Sequence, residues 1–310
     1  MAGYNMFKVG ILFSVVLVCQ AFPDMEDYLK IDAIDVNSDE FGQVMGKTST
    51  NCSCGWTNKA RIVGGKETLA NEYPLIAGIR ETADENIFCG GTIITNYHVL
   101  TAAHCTFPFR NSGVQLVVVL GEHDQSKVDK GTVIIEVERA IEHENYDPSK
   151  YFNDISLLVL REKINYNQII GPACLPSAKT NLVNEQVKVI GWGTLGYRKD
   201  LSKVLMKVNL RVIPLTVCKQ NFRREIHADI PSQICTKAQN KDSCGGDSGG
   251  PVIWLDPETN RYTLVALVSY GKTKCGGKEP AVNTDVSYHL DWLQKKIADT
   301  KPGMHTCSKV

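Results

Sequence analysis

From residue 62 to the C-terminus the apolar residues come in short, largely β-branched runs, each closed by Gly, Asn, Asp or Pro, and this texture restricts the fold more than any other feature. The runs are Leu75–Ile79, Gly91–Thr95, Val114–Leu120, Thr132–Glu138, Ser156–Leu160, Val187–Ile190, Val204–Val212, Val252–Trp254 and Thr263–Ser269. Segments of this length between turn formers read as strands, and so many at this spacing predict an all-β barrel or sandwich. One stretch has a helical period: in Tyr288–Ala298, Leu290, Leu293 and Ile297 recur on one face. Leu215–Phe222 is a second, shorter helix candidate.

The chain has 310 residues, 43% hydrophobic and 22% charged, enough to bury one large core or two modest ones. Its 34 basic residues balance 34 acidic ones, which argues against a nucleic-acid or anionic-membrane partner. Lys8 and the apolar run Val9–Val18, followed by Cys19-Gln20-Ala21, read as a secretory signal spanning residues 1–21. The run is about ten residues, far short of the roughly 20 that a membrane anchor needs. Residues 22–50 then carry seven acidic side chains against Lys30 and Lys47, so residues 22–61 read as an exposed, acidic pro-segment. Of the eleven cysteines Cys19 leaves with the signal, and ten remain, all able to pair. An exported chain matures where disulfides form; Cys52 and Cys54 are the nearest approach to a metal pair, and no second pair with ligand spacing follows them.

The densest chemical signal is Asp242-Ser243-Cys244-Gly245-Gly246-Asp247-Ser248-Gly249-Gly250-Pro251. A nucleophilic serine needs backbone N–H groups aimed at the oxygen that becomes negative, and glycines let the main chain turn sharply and approach substrate. Gly246–Gly250 also satisfies the elbow of α/β hydrolases, but an elbow requires a helix after the serine. Here Gly-Gly-Pro and the strand-like Val252-Ile253-Trp254 follow instead.

The order His, Asp, Ser is available upstream of Ser248. Thr101-Ala102-Ala103-His104-Cys105 sets a histidine in a small-residue corner, and Asp154 leads directly into the apolar run Ile155–Leu160. A carboxylate entering a buried strand is costly unless paired, and an imidazole N–H is a partner that offsets the cost. His104 would then take the proton of Ser248 while Asp154 fixes the imidazole tautomer. His98, His123, His143, His227, His289 and His305 lack such a context. Arg61-Ile62-Val63-Gly64-Gly65 supplies a third signal. Cleavage after Arg61 would free an Ile62 ammonium able to pair with Asp247 and so order the Gly246 and Ser248 amides as an oxyanion hole.

These motifs, with Cys89-Gly90-Gly91, Asn153-Asp154-Ile155, Gly191-Trp192-Gly193 and Ser269-Tyr270-Gly271, occur in the family's order, and residues 62–310 closely resemble the chymotrypsin-like (trypsin-type) serine proteases. The resemblance implies two six-stranded antiparallel β-barrels with a boundary near 170–185, the active site between them, and a C-terminal helix at Tyr288–Ala298. It implies the disulfides Cys89–Cys105, Cys218–Cys235 and Cys244–Cys275. Cys174 resembles the cysteine that retains the cleaved pro-segment, with Cys54 as its partner and Cys52 as the alternative; the leftover pair would be Cys52–Cys307. Asp242 falls where trypsin-like members keep an acid at the base of the primary pocket, implying cleavage after Arg or Lys. Ser269, Gly271 and Ala281 would edge that pocket. The implied partners are protein or peptide substrates, an activating protease and protein protease inhibitors; no cofactor or metal is implied.

The pattern departs at three places: Tyr270 stands for the usual tryptophan, Ala281 for a common glycine on the pocket wall, and Asn283 for a common tyrosine. These leave a rival reading, a catalytically weak, protease-like binding or cofactor protein. Thr132 stands where calcium-binding members use a carboxylate, so calcium is not expected. Asn51-Cys52-Ser53 fits a glycosylation sequon whose middle residue is a disulfide candidate. The acidic pro-segment with Cys-x-Cys-Gly, without a six-cysteine clip module, is similar to secreted arthropod proteases of venom, saliva or haemolymph.

Overall fold

A computed structural model describes residues 42, 44–58, 67–127, 130–196, 199–222, 226, 231–238, 245–272 and 279–310. Arg61, Ile62, Asp242 and the Cys244–Cys275 pair lie outside the described residues, as does most of the acidic segment.

Twelve strands form two closed antiparallel barrels. β1 (Ile76–Glu81), β2 (Cys89–Thr95), β3 (His98–Thr101), β4 (Leu116–Leu120), β5 (Val133–Glu142) and β6 (Ser156–Leu160) close in the order β1-β2-β3-β6-β5-β4. β7 (Gln186–Gly191), β8 (Met206–Ile213), β9 (Gln233–Lys237), β10 (Pro251–Asp256), β11 (Arg261–Tyr270) and β12 (Ala281–Asp285) close as β10-β11-β12-β9-β8-β7. Closure removes the exposed strand edges that an open sheet would present. All nine sequence-predicted runs are found as strands, and β3, β9 and β12 are additional.

The unbroken apolar runs follow from burial on both faces. Along β6, Leu158 and Leu160 fill the first barrel with Ile79, Ile93, Val99 and Val118, while Leu157 points the other way. Along β7, Val187 and Val189 fill the second barrel with Leu210, Val212 and Val265, while Ile190 points outward. The outward set, with Leu100, Ile155, Trp192, Ile253 and Leu267, forms one continuous seam between the barrels. Successive side chains alternate faces, so where a strand serves both a barrel and the seam consecutive residues are apolar, as at Val189-Ile190, whereas the half-buried Lys188 on that outward face stays polar. Trp192 crosses the seam and donates its Nε1–H to the His123 carbonyl at 3.1 Å.

Among the described residues three short helices punctuate the strands: α1 (Ala103–Thr106), α2 (Leu215–Cys218) and α3 (Leu290–Thr300). The predicted C-terminal helix is therefore present, preceded by a 3-10 turn at Ser287–His289, and it buries Leu293 and Ile297 on the seam. The Leu215–Phe222 candidate is helical only over its first turn. Among the described residues no helix is long and apolar enough to cross a membrane.

Four disulfides join described residues: Cys52–Cys307, Cys54–Cys174, Cys89–Cys105 and Cys218–Cys235. The first two anchor residues 44–58, which are more than an exposed tail. Gly46 and Thr48 donate backbone hydrogen bonds to Thr259 and Glu258 at 2.8 and 2.9 Å, Gly55 donates to Pro172 at 2.8 Å, and Thr50 bridges Lys309. The clasp was not legible from composition because its hydrogen bonds run between backbone groups, or between polar side chains and backbone, as from Arg261 to the Val44 carbonyl and from Ser308 N–H to Asn51 Oδ1, and need no apolar pattern.

Candidate active site

His104 sits in α1, directly after the end of β3, and Cys105 staples that corner to the start of β2 through Cys89. Asp154 precedes β6 and is fully buried. Its Oδ1 accepts the His104 backbone N–H at 2.8 Å, and its Oδ2 faces His104 Nδ1 at 2.8 Å. A carboxylate can only accept, so this geometry selects the Nδ1–H tautomer and leaves Nε2 with a lone pair. Ser269, on β11 of the second barrel, donates its hydroxyl to the same Oδ2 at 2.5 Å. Three donors thus compensate a carboxyl group whose burial unpaired would cost several kcal/mol. Burial, and then the charge of Asp154, push the Tyr146 phenol above its usual range.

Ser248 reaches this corner through its glycines. Gly246 and Gly249 adopt φ of +95° and +72°, and Gly250 closes the turn by donating to the Asp247 carbonyl at 2.9 Å. The turn is stitched to both barrels: Gly249 donates to Val268 of β11, and Gly90 of β2 donates to the Ser248 carbonyl, each at 2.8 Å. A Cβ on Gly249 would lie 2.1 Å from Thr101 Oγ1 and 2.8 Å from the Gly90 carbonyl oxygen. Only glycine lets the turn press against the β2–β3 corner that leads to His104. Asp247 points the opposite way, and its Oδ1 accepts the Gly193 N–H at 2.9 Å. A Cβ on Gly193 would come within 2.4 Å of the Asp247 carboxyl carbon, which accounts for the second glycine of Gly-Trp-Gly.

Gly271 follows β11 and is exposed, whereas Ala281 opens β12 and is buried. The β11–β12 register, with Tyr270 opposite Val282, puts them at the same end of that ladder. Asn283 is buried and donates its Nδ2–H to the Ile234 carbonyl and to Thr236 Oγ1. Sequence reading missed Tyr151. Its ring stands edge-on to His104 with centroids 5.8 Å apart and lies 5.2 Å from Tyr270, which in turn meets Phe222 at 5.5 Å. The signal available was an aromatic residue three positions before Asp154. Thr132 donates to Glu122 at 3.2 Å in the loop considered for calcium. The grouping of metal-ligand atoms found among the described residues, Cys89, His104 and Cys105, offers no thiolate, because its two sulfurs are bonded to each other.

A protein-family model described as Trypsin matches residues 62–293. The chain is 37% identical over 263 residues to Venom serine protease 34 of Apis mellifera, covering 82% of this chain and 63% of the bee protein. It is 38% identical over 252 residues to a venom serine protease of Polistes dominula, covering 78% and 87% of the two chains. It is 32% identical over 247 residues to the clotting factor G beta subunit of Tachypleus tridentatus, covering 76% and 79%.

Proposed function

Because this chain belongs to the trypsin family of serine proteases, we propose that it is a secreted endopeptidase made as a zymogen, cut after Arg61 and hydrolysing peptide bonds after Arg or Lys. The observation that carries the reading is the buried Asp154 bonded to both His104 nitrogens that face it, with the glycine turn of Ser248 packed on the same corner. In this reading Ser248 Oγ forms a bond to the scissile carbonyl carbon as its proton passes to His104 Nε2. The Gly246 and Ser248 N–H groups hold the oxyanion. His104 then gives the proton to the leaving amine, and a water molecule, deprotonated the same way, releases the acyl group from Ser248. Asp154 never takes the proton; it orients the ring and stabilises the imidazolium.

Cleavage after Arg61 supplies the ammonium of Ile62 as a partner for Asp247, so the turn acquires its oxyanion hole only in the cut form. Asp242 selects the basic side chain, with Ser269, Gly271 and Ala281 along the pocket. The segment before Arg61 stays attached after cleavage through Cys54–Cys174 and Cys52–Cys307. Residues 1–21 serve as the export signal, and the partners are protein substrates and protein inhibitors.

The test is hydrolysis of matched fluorogenic peptides ending in Arg, Lys, Phe or Ala, before and after cleavage at Arg61. Activity confined to the cut form and to Arg or Lys is the expected result, and Ser248→Ala should abolish it. Undiminished turnover in Ser248→Ala would overturn the reading.

A further inference from the structure

The backbone leading into Asp154 is irregular. Tyr151 and Asn153 hold φ of +56° and +53°, a left-handed conformation uncommon for residues other than glycine. Ile155 N–H turns back to the Asn153 carbonyl at 2.8 Å, and β6 starts only at Ser156, which pairs with Thr101 and Glu142. The Asp154 carbonyl therefore lies just before the β6 ladder and, like the rest of the residue, is buried. Its partner comes from the other barrel: Thr284, 3% exposed on β12, donates its hydroxyl to the Asp154 carbonyl oxygen at 2.9 Å.

We propose that Thr284 is a positioning residue for catalysis, holding the main chain of the triad acid against the second barrel while Ser269 holds its carboxylate. The proposal rests on the reading of Asp154 as the triad acid. Thr284 and Ser269 lie on adjacent strands, β12 and β11, paired through Thr284–Leu267 and Asp285–Ala266. Two hydroxyls from one ladder thus reach across the seam to one residue of the first barrel. The carboxylate fixes where the His104 ring sits, but only as firmly as its own peptide is fixed. With φ positive immediately before it, that peptide has no regular strand to define it. A hydrogen bond to the carbonyl sets the peptide plane and with it the direction of the Cα–Cβ bond.

Removing the hydroxyl leaves a buried carbonyl without its donor and loosens the acid by a fraction of an ångström. Such misplacement weakens stabilisation of the imidazolium more than binding of substrate. Thr284→Val, which keeps the shape, should lower kcat roughly 10-fold with KM changed less than about twofold. Thr284→Ser, which restores the donor without the methyl group, should return both to near the parent values. If Thr284→Val fails to fold, Thr284→Ala replaces it in the same comparison. An unchanged kcat in the hydroxyl-free variant, or a KM that rises as much as kcat falls, would overturn the proposal, as would Thr284→Ser being as impaired as Thr284→Val, which would assign the role to the methyl packing. Ser248→Ala assayed alongside separates the two levels: if it retains activity the active-site reading itself fails, whereas an inert Ser248→Ala with an unperturbed Thr284→Val removes only the positioning role.

Discussion

Acid should loosen the contact between the start of α3 and the segment that precedes Asp154, and His289 is the group through which it acts. His289 is 2% exposed, and neither ring nitrogen has a hydrogen-bond partner among the described residues. Its ring meets His143 with centroids 5.3 Å apart, and His143 in turn lies 5.2 Å from Trp292. The charged groups facing this cluster are Lys179, paired with Asp285, and Lys296, paired with Glu144, which also accepts Trp292 Nε1–H. Burial first, then the neighbouring His143, then Lys179 bring the His289 pKa down from 6.5 to about 3. Burial likewise lowers that of His143.

A histidine whose folded pKa is depressed stays neutral in the native protein while the unfolded chain takes up the proton. Its contribution to stability is present above pH 6.5 and is lost as the pH falls from 6.5 toward 3, at about 1.4 kcal/mol per pH unit. Between pH 7.5 and pH 5.0 the His289 share of that loss is about 2 kcal/mol. His289→Phe, an apolar ring in the same site, removes the share. Comparing the pH difference within each protein cancels any packing cost of the substitution. Urea unfolding of the Ser248→Ala precursor with and without His289→Phe, at both pH values, should show the phenylalanine form losing about 2 kcal/mol less on acidification. Equal losses, to within about 0.5 kcal/mol, would refute the argument that His289 is held neutral in the folded protein.

Gly249→Ala should both destabilise the fold, by about 3 kcal/mol or more, and abolish peptide hydrolysis, because its Cβ would lie 2.1 Å from Thr101 Oγ1 and φ is +72°; thermal melting and a peptide assay on one preparation check both. After cleavage at Arg61, Cys54→Ser or Cys307→Ser alone should leave the short chain attached on a non-reducing gel, since Cys52–Cys307 and Cys54–Cys174 are independent ties; its release by either single change would show that one bridge does not form. Asp242→Ser should cost on the order of 100-fold or more in kcat/KM toward Arg and Lys peptides while sparing the others, read from the same four-peptide panel.

The strands that sequence reading found carry apolar, largely β-branched residues either on both buried faces, as in β6, or on the barrel face alone, as in β5 and β8, whose other face is exposed or half-buried. The strands it missed carry polar side chains in the same buried positions. His98 on β3 is fully buried and bonds to Thr95 and Thr300 Oγ1 at 2.6 and 2.8 Å, and Thr101 donates to the Gly90 carbonyl. Asn283 Nδ2 and the Thr284 hydroxyl on β12 donate to Ile234, Thr236 and Asp154, partners 47 to 130 residues away. No local pattern announces a long-range hydrogen bond, so Gln233–Lys237 and Ala281–Asp285 do not stand out as strands in the sequence. His104, Asp154 and Ser248 were legible for the opposite reason: each is anomalous where it stands, Asp154 by entering an apolar strand and Ser248 by its glycines. Ser269 was placed at the pocket edge by resemblance, but its bond to Asp154 depends on how the barrels meet.

That meeting is what makes the site a property of the seam and of neither barrel alone. By chain position Asp154 belongs to the first barrel, yet Ser269 and Thr284 of the second hold its carboxylate and its carbonyl. Ser248 belongs to the second barrel, yet Gly90 of the first binds its carbonyl and Thr101 bounds its turn. Each barrel therefore orients a proposed triad residue of the other across a seam built from Leu157, Ile190, Trp192 and Leu267. A cavity opened there, as by Leu157→Ala at a cost of about 2–5 kcal/mol, should impair turnover through geometry even at temperatures where both barrels stay folded. Leu158→Ala, one residue along the same strand but inside the first barrel, should cost similar stability with a smaller loss of kcat. Thermal melts matched with kcat for the two variants distinguish the cases, and equal losses of kcat at equal stability would mean that the seam does not set the alignment of the triad.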